Sequence, residues 1–265
     1  MTSASSPTPP RACFLAIGNE LLSGRTEDAN TPVLARALNT RGLRLEEVRI
    51  LPDIRARLVE SIVTCRAAYD LVFTSGGIGP THDDITAACV AEAFGVPLVR
   101  HEDSFRKLEK LFADGTFHGD FNAARQRMAW LPEGATPIEN SVSTAPGFAL
   151  GNVYVMAGVP RIFRAMLDWL LPRLPSATPL CSQAWHAFDV YEGDFAAPLT
   201  RLQQDFPTLD LGSYPFEPDA TPRNERGVTL VAKGYDAGAV RKAGAALRDL
   251  LGRTGRQVTK GEPGA

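Results

Sequence analysis

The sequence lacks a long hydrophobic segment and an excess of charge of one sign. No window approaches the roughly eighteen uninterrupted apolar residues of a membrane helix, so no transmembrane helix is predicted. With 28 Lys and Arg against 30 Asp and Glu, the net charge of −2 gives no general attraction for nucleic acid. Residues 1–11, which are mostly Ser, Thr, Ala and Pro, predict a disordered tail rather than a signal peptide. We therefore expect a cytoplasmic protein that binds neither nucleic acid nor a membrane.

Cysteine is also scarce, and the four cysteines form no metal-binding spacing. Cys13, Cys65, Cys89 and Cys181 are far apart and include no CxxC pair. The first three lie among apolar or helix-forming residues, which predicts buried, reduced thiols and no structural zinc site.

Strand and helix patterns alternate along the first two thirds of the chain. Apolar runs at 12–17, 43–51 and 71–74 predict three strands, each followed by a helical pattern. This alternation predicts a mostly parallel sheet covered by helices on both faces, a three-layer α/β fold. A hairpin around Gly151 and Asn152 and a helix at 162–171 complete a predicted domain over residues 12–174.

A second, smaller unit follows a proline-rich linker. Residues 172–179 contain three prolines and predict the linker. Residues 180–252 show the order β-α-β-β-α, which predicts a small α+β domain. The polar residues 253–265 predict a frayed tail.

The segment richest in chemistry runs from Thr74 to Thr86 and has the sequence TSGGIGPTHDDIT. Gly76, Gly77 and Gly79 would let the backbone approach a ligand closely, and the helix predicted to begin near Asp84 adds the positive end of its dipole. The pattern is neither a P-loop nor a GxGxxG fingerprint, and the alternative is a tight strand-to-helix turn. If the loop binds phosphate, Gly77→Ala should weaken binding sharply with little loss of stability.

Three aspartates accompany this loop. Asp83 and Asp84 cannot both cap one helix, and carboxylates beside a phosphate site are typical ligands of Mg²⁺ or Mn²⁺. Asp53 follows the second predicted strand, and its alternative role is a helix N-cap. Loops after parallel strands leave one edge of a sheet, so Asp53, the 75–84 segment, Gly18 to Glu20 and Gly158 to Pro160 should converge.

Two further loops and the histidines carry weaker signals. Residues 22–30 form a polar connection longer than a strand-to-helix loop requires, which favours a functional role. Residues 143–147 indicate only a turn. His82, His101, His118 and His186 have no ligand spacing; apart from His82, which adjoins the acidic pair, solvent exposure is the expectation.

Taken together, these motifs resemble a known family. Residues 18–26 (GNELLSGRT) with Asp28 and Asn30, then residues 76–86, resemble the N-terminal molybdopterin-binding-like domain of the competence/damage-inducible CinA proteins. The similarity continues through Asn122, Arg125, residues 143–148 and residues 156–160, and covers about residues 12–172. More distantly, the segment is similar to MoaB and MogA of molybdenum-cofactor synthesis and to the corresponding domain of FAD synthases.

The resemblance implies a three-layer αβα fold that binds a nucleotide or pterin through a phosphate or pyrophosphate. It assigns Asp53 and Asp84 as catalytic and implies a divalent-metal-dependent ADP-ribose pyrophosphatase. With the acidic pair considered above, we expect Asp84, Asp53 and Asp83 to bind the metal, which would be Mg²⁺, Mn²⁺ or Co²⁺. It also implies a homo-oligomer. The residues expected to bind phosphate or substrate are Gly18, Glu20, Asn30, Ser75, Gly76, Gly77, Gly79, Pro80, Thr81, Gly147 and Gly158.

Several departures shape these expectations. Asn19 stands where the family has Asp, and Ile162 stands where molybdopterin-adenylylating relatives have Ser, which disfavours adenylyl transfer. The chain ends before the amidase domain of full CinA proteins, so that activity is expected to be absent. The small domain resembles a KH-type domain without a GxxG clamp, so RNA binding is not implied.

The leading hypothesis is a metal-dependent nucleotide pyrophosphatase, and the alternatives are a non-catalytic pterin- or nucleotide-binding protein or an adenylyl transferase.

Overall fold

The computed structural model describes residues 9–143, 145–217 and 226–263, and the chain divides into two domains between Ala177 and Thr178, inside the predicted linker. Most of the predicted N-terminal tail, Thr144 and the last two residues lie outside the described residues. The strands of the first domain are β1 (Arg11–Ile17), β2 (Arg44–Leu51), β3 (Leu71–Ser75), β4 (Leu98–Arg100), β5 (Trp130–Pro132), β6 (Thr136–Ile138), β7 (Gly147–Leu150) and β8 (Val153–Met156). Its helices are α1 (Asn19–Leu22), α2 (Asn30–Thr40), α3 (Arg55–Ala68), α4 (Thr86–Phe94), α5 (Glu102–Ala113), α6 (Ala123–Gln126) and α7 (Pro160–Leu170).

Six strands form the main sheet, in the order β2-β1-β3-β8-β7-β6. The first four are parallel, and β7 and β6 are antiparallel to their neighbours. Strand β1 is buried along its whole length after Arg11, because its side chains alternate between two apolar layers. This confirms the predicted three-layer α/β fold with a mostly parallel sheet.

Helices cover both faces of this sheet and bury its apolar side chains. On one face, α2 and α7 pack against side chains that include Phe14 and Phe73; on the other, α3 and α4 pack against Leu15 and Val72. Each fully buried Leu or Phe of this kind contributes about 1.5–3 kcal/mol relative to exposure. The two apolar layers therefore stabilise the sheet, and the sheet in turn positions the loops at its carboxyl edge.

The starts of three helices at the carboxyl edge show how their flanking residues are held. Helix α2 begins at Asn30, and the carboxylate of Asp28 accepts the amides of Asn30 and Thr31. Helix α3 begins at Arg55 without a side-chain cap, and Asp53 is engaged elsewhere. Helix α4 begins at Thr86, two residues after the predicted start.

The second domain is a separate four-stranded antiparallel sheet in the order β10-β11-β9-β12. Its elements are β9 (Cys181–Phe188), α8 (Ala196–Asp205), β10 (Asp210–Phe216), β11 (Gly227–Gly234), α9 (Ala237–Gly252) and β12 (Val258–Lys260). Strand β12 lies in the predicted frayed tail, and that part of the prediction is wrong. Its residues pair with Trp185–Ala187, and the carbonyl of Gly261 is hydrogen-bonded to Nδ1 of His186 at 2.8 Å.

All four cysteines are free, and Cys13, Cys65 and Cys89 are buried as expected. Sγ of Cys13 lies 3.6 Å from Sγ of Cys65, and burial raises the pKa of both thiols. Burial also raises the pKa of Cys89 to about 11. Within the part of the chain that the structure describes, no helix has the length and apolar character needed to cross a membrane.

Candidate functional site

One cavity of about 650 Å³ lies at the carboxyl edge of the four parallel strands. The segments that follow β1, β2, β3 and β8 all line it, as the topology predicts. We call it the front cavity. The predicted site residues that line it are Gly18, Glu20, Asp53, Gly76, Gly77, Gly79, Pro80, Thr81, Asp83, Asp84 and Gly158.

Two of the loop glycines are required by the turn itself. Gly76 has φ of 110°, and a Cβ there would lie 2.1 Å from the carbonyl oxygen of Ile17. Gly77 has φ of 68°, and its Cβ would lie 2.2 Å from Oγ1 of Thr86. Thr86 closes the turn by donating its hydroxyl to the carbonyl of Gly76 and its amide to that of Gly77, both at 3.0 Å. The expectation that Gly77→Ala would cost little stability is therefore wrong.

The same loop presents free backbone donors. The amides of Gly77, Ile78 and Gly79 donate no hydrogen bond to any described residue. All three residues are half-buried and line the front cavity. Consecutive unpaired amides before a helix N-terminus form a site suited to an anion such as phosphate.

Asp84 holds the far end of this loop. Its Oδ2 accepts the amide of Thr81 at 2.7 Å and also the Thr81 hydroxyl, so one carboxylate oxygen is already engaged. Arg127 supports the loop by donating Nη2 to the carbonyls of Thr81 at 2.8 Å and Pro80 at 3.3 Å. Sequence reasoning missed Arg127, because its partner residues are more than forty positions away.

Asp53 faces other carboxylates instead of capping α3. Its Oδ2 accepts a hydrogen bond of 2.9 Å from the backbone amide of Asn19, a residue that follows β1. Burial raises the pKa of Asp53, and the negative charges of Glu20 and Asp83 raise it further. Asp83 is exposed, and the nearby side chain of Thr81 lowers the pKa of Asp83. This concentration of negative charge at the cavity would attract a cation.

Three residues predicted to bind the ligand are not part of the cavity lining. Asn30 is 7% exposed, and its Nδ2 donates to Oγ of Ser75 and to the carbonyl of Gly158, both at 2.8 Å. This amide ties the ends of β3 and β8 together beneath the cavity. Gly147 lies in β7, where a Cβ would be 2.3 Å from the carbonyl oxygen of Val155, so its small size serves strand packing.

An aromatic wall of the cavity was not predicted. The rings of Phe112 and Phe117 have centroids 5.4 Å apart, and the guanidinium of Arg125 lies 4.8 Å from the centroid of Phe112. The four-residue spacing of Leu108 and Phe112 indicates one face of a helix, but the sequence does not say which surface that face meets. Further lining residues that were not assigned to the site are His118, Met128 and Met166. Arg25 and Val159, which lie in segments that the sequence singled out, line it as well.

Comparison with known proteins defines the class of this domain. Residues 13–176 match the family described as "Probable molybdopterin binding domain", and the chain belongs to this family. Residues 181–257 match the model described as "FAD synthase, middle domain". The predicted membership in the CinA and MoaB/MogA group is confirmed.

Individual relatives give the same assignment. The chain is 40% identical to a CinA-like protein of Anaeromyxobacter sp. (strain K) over 166 residues, which are 61% of this chain and 40% of the relative. A protein of Pyrococcus furiosus is 36% identical over 177 residues, with 62% of this chain and 69% of the relative covered. The crystal structure of a CinA protein "with unknown function" from Thermoplasma acidophilum matches with a TM-score of 0.57 and 31% identity, covering 63% of this chain and 98% of that one. The chain therefore spans less than half the length of the CinA-like relative.

Proposed function

We propose that this protein binds a phosphate-containing nucleotide or pterin in the front cavity and hydrolyses a nucleotide pyrophosphate, with ADP-ribose first and FAD-like dinucleotides next. The observation that carries the proposal is the meeting, in one cavity, of three unpaired amides (Gly77, Ile78 and Gly79) with the half-buried carboxylate of Asp53. The membership in a molybdopterin-binding family supports a ligand of this chemistry.

The residues of the loop and the carboxylates have separate roles in this proposal. The amides of Gly77–Gly79 bind the oxygens of one phosphate and hold the pyrophosphate in place. Hydrolysis adds water to one phosphorus and breaks its bond to the bridging oxygen, which leaves two phosphomonoesters. Glu20 or Asp83 accepts the proton of that water, or orients the group that does.

The carboxylates also fit a divalent cation. Asp53 and Asp84 would hold it, with Asp83 as a further ligand, since each of the first two uses only its Oδ2 in side-chain hydrogen bonds with other described residues. No group of three His, Cys, Asp or Glu residues among the described residues is arranged as a complete metal site. Mg²⁺ commonly uses one or two carboxylates together with substrate phosphate, so this donor set suits it, Mn²⁺ or Co²⁺. When bound, such a cation supplies charge stabilisation at phosphorus and acidifies a bound water.

The alternative is binding without catalysis. It is favoured by the engagement of Asp84 in closing its own loop and by the lack of a preassembled three-ligand cluster among the described residues. Adenylyl transfer has less support, because Ile162 lines the front cavity and brings no hydroxyl to it.

The two functions separate in one experiment. ADP-ribose, FAD and NAD⁺ are incubated with the protein and Mg²⁺, Mn²⁺ or Co²⁺, and products are resolved by chromatography, with a chelator as the matched control. Hydrolysis that the chelator abolishes, beside binding measured by calorimetric titration, supports the pyrophosphatase. Binding that survives chelation without any product supports the binding protein.

Asp84→Asn provides the test of the site. We expect turnover to fall by at least about a hundredfold, because a charged ligand is lost near the reacting phosphate. Asp168→Asn, an exposed substitution on α7 outside the cavity, is the matched control. Full activity in Asp84→Asn would remove Asp84 from the reaction.

A further inference from the structure

The loop that contains Gly77, Ile78 and Gly79 also lines a second cavity. This rear cavity has a volume of about 380 Å³ and shares Gly77, Ile78 and Gly79 of the loop with the front cavity. Asp84 and Met128 also line both cavities. The three amides that donate no hydrogen bond to the described residues therefore lie in a loop shared by two cavities.

The walls of the rear cavity differ from those of the front cavity. They are largely apolar, with side chains from α4, β4, β5 and β7, and they lack the carboxylate cluster of Glu20, Asp53 and Asp83. Trp130 lines the rear cavity and is 40% exposed, although it is the largest side chain of its segment. Arg127 and His82 also line it and provide a guanidinium and an imidazole. An exposed indole beside positive or polar side chains is suited to stacking a planar, electron-poor ring.

We propose that the rear cavity is a second subsite of the same centre and binds the planar ring of the second nucleoside of a dinucleotide pyrophosphate, with Trp130 as its stacking surface. This inference rests on the proposed function, because it places the pyrophosphate on the amides of Gly77–Gly79. One nucleoside then enters the front cavity beside Phe112 and Phe117, and the other enters the rear cavity.

The sizes and the chemistry support this division. Each volume lies in the range of sites for small ligands, about 300–1,000 Å³, and neither space alone needs to take a whole dinucleotide. Arg127 lies at the junction, since its Nη2 already donates to the loop carbonyls of Pro80 and Thr81. Its positive charge adjoins the position assigned to the pyrophosphate.

The subsite is tested by comparing the affinity for ligands that have two ring systems with the affinity for a ligand that has one. Calorimetric titration, with chelator present to prevent turnover, compares FAD and NAD⁺, which have two rings, with ADP-ribose, which has one. In Trp130→Ala we expect affinity for FAD and NAD⁺ to fall about tenfold, on the scale of one lost stacking contact, and affinity for ADP-ribose to stay within about twofold. Trp130→Phe should restore most of the loss, because it keeps an aromatic face.

Fluorescence gives an independent readout. The chain has three tryptophans, and Trp169→Phe with Trp185→Phe leaves Trp130 as the sole indole. Saturating NAD⁺ should quench its emission, and saturating ADP-ribose should not. Melting of the free Trp130→Ala protein checks that the fold is kept.

The outcomes are distinct. Equal loss of ADP-ribose and dinucleotide affinity in Trp130→Ala, or unchanged affinity for every ligand, would overturn the rear subsite while the proposed function stands. If the unaltered protein binds none of the three ligands, either with chelator or with a divalent cation added, the proposed function and the subsite both fail.

Discussion

The two domains are built from the same kinds of element, yet among the residues that the structure describes only the first domain gathers reactive groups in one place. In the first domain, four parallel strands end at one edge, and their loops bring Glu20, Asp53 and the amides of Gly77–Gly79 to one cavity. In the second domain the strands are antiparallel, so successive loops leave opposite edges. Its polar groups serve the fold: His186 is buried against the Gly261 carbonyl, and Asp236 caps α9. Strand direction therefore decides where chemistry can concentrate.

The largest expected effect concerns the charge of Asp53. Asp53→Asn keeps an oxygen that can accept the Asn19 amide but removes a cation ligand, so we expect turnover of ADP-ribose to fall by at least about a hundredfold. Product formation with Mg²⁺ measures it, and Asp168→Asn is again the control. An Asp53→Asn protein as active as the parent would show that the first domain's charge cluster is structural, like the polar groups of the second.

Next is the stability of the loop turn. Gly77→Ala adds a methyl group at positive φ and 2.2 Å from Oγ1 of Thr86, so we expect a loss of about 1–3 kcal/mol in the free energy of unfolding. Gly24→Ala is the matched control, because Gly24 also has positive φ, 71°, but nothing lies within 4 Å of the added Cβ. Urea unfolding of both variants measures the difference. Equal losses of unfolding free energy in the two variants would mean that the Thr86 side chain moves away at no cost. Backbone strain at positive φ would then account for the whole effect.

A smaller effect follows from the pKa of Asp53. Because burial, Glu20 and Asp83 raise this pKa above its unfolded value, the folded protein favours the neutral carboxyl. The neutral Asp53 carboxyl therefore contributes its full stability to the fold at pH values below the pKa of Asp53 in the unfolded chain. This contribution is lost as the pH rises through the pKa of Asp53 in the folded protein. Asp53→Asn should therefore be more stable than the parent at pH 7, and the difference should shrink as the pH falls to about 4, the ordinary carboxyl pKa. Denaturant unfolding at both pH values decides it; a less stable variant at pH 7 contradicts it.

In the second domain, Asp236→Ala should have a modest and purely structural effect. The Asp236 carboxylate accepts the amides of Gly238 at 2.7 Å and Ala239 at 3.0 Å, and these bonds lower the pKa of Asp236. Losing the N-cap should lower the melting temperature by a few degrees, without a change in ligand affinity. A change in affinity would assign the second domain a part in binding.

The smallest expected effect is that of removing the second domain. A chain ending at Ala177 keeps both apolar layers of the first domain and every residue of the front and rear cavities. We expect a folded protein whose affinity for ADP-ribose stays within about twofold, since no cavity residue is removed. Calorimetric titration of a truncated protein with a cooperative melting transition measures this. Loss of ADP-ribose binding in that folded protein would show that the second domain contributes to binding.

The sequence was a good guide to the parallel sheet and to the convergence of its loops. Both follow from local patterns, namely apolar runs that alternate with helical periodicity and the fixed geometry of parallel strands. The partners of individual side chains were not predictable in this way. Asp53 looked like an N-cap because it precedes a helix, but its partner amide at Asn19 is 34 residues away.

Short elements were also missed for a physical reason. Strands β4, β5, β6 and β12 have three residues each, too few to show a period, and they exist because a neighbouring strand pairs with them. The aromatic wall depends likewise on where α5 packs. The conformation of such short segments is determined more by tertiary contacts than by the local preferences of their residues.

The buried amide of Asn30 also bears on the order in which the protein folds. Its hydrogen bond to the carbonyl of Gly158 joins positions 128 residues apart, so it can form only after β8 has paired with β3. Closing so long a loop is slow compared with local helix formation. During synthesis, the ribosome must therefore complete nearly the whole first domain before its binding edge exists. Ligand capture during refolding should accordingly lag behind the recovery of helical circular dichroism, and partly made chains should have no affinity for the ligand.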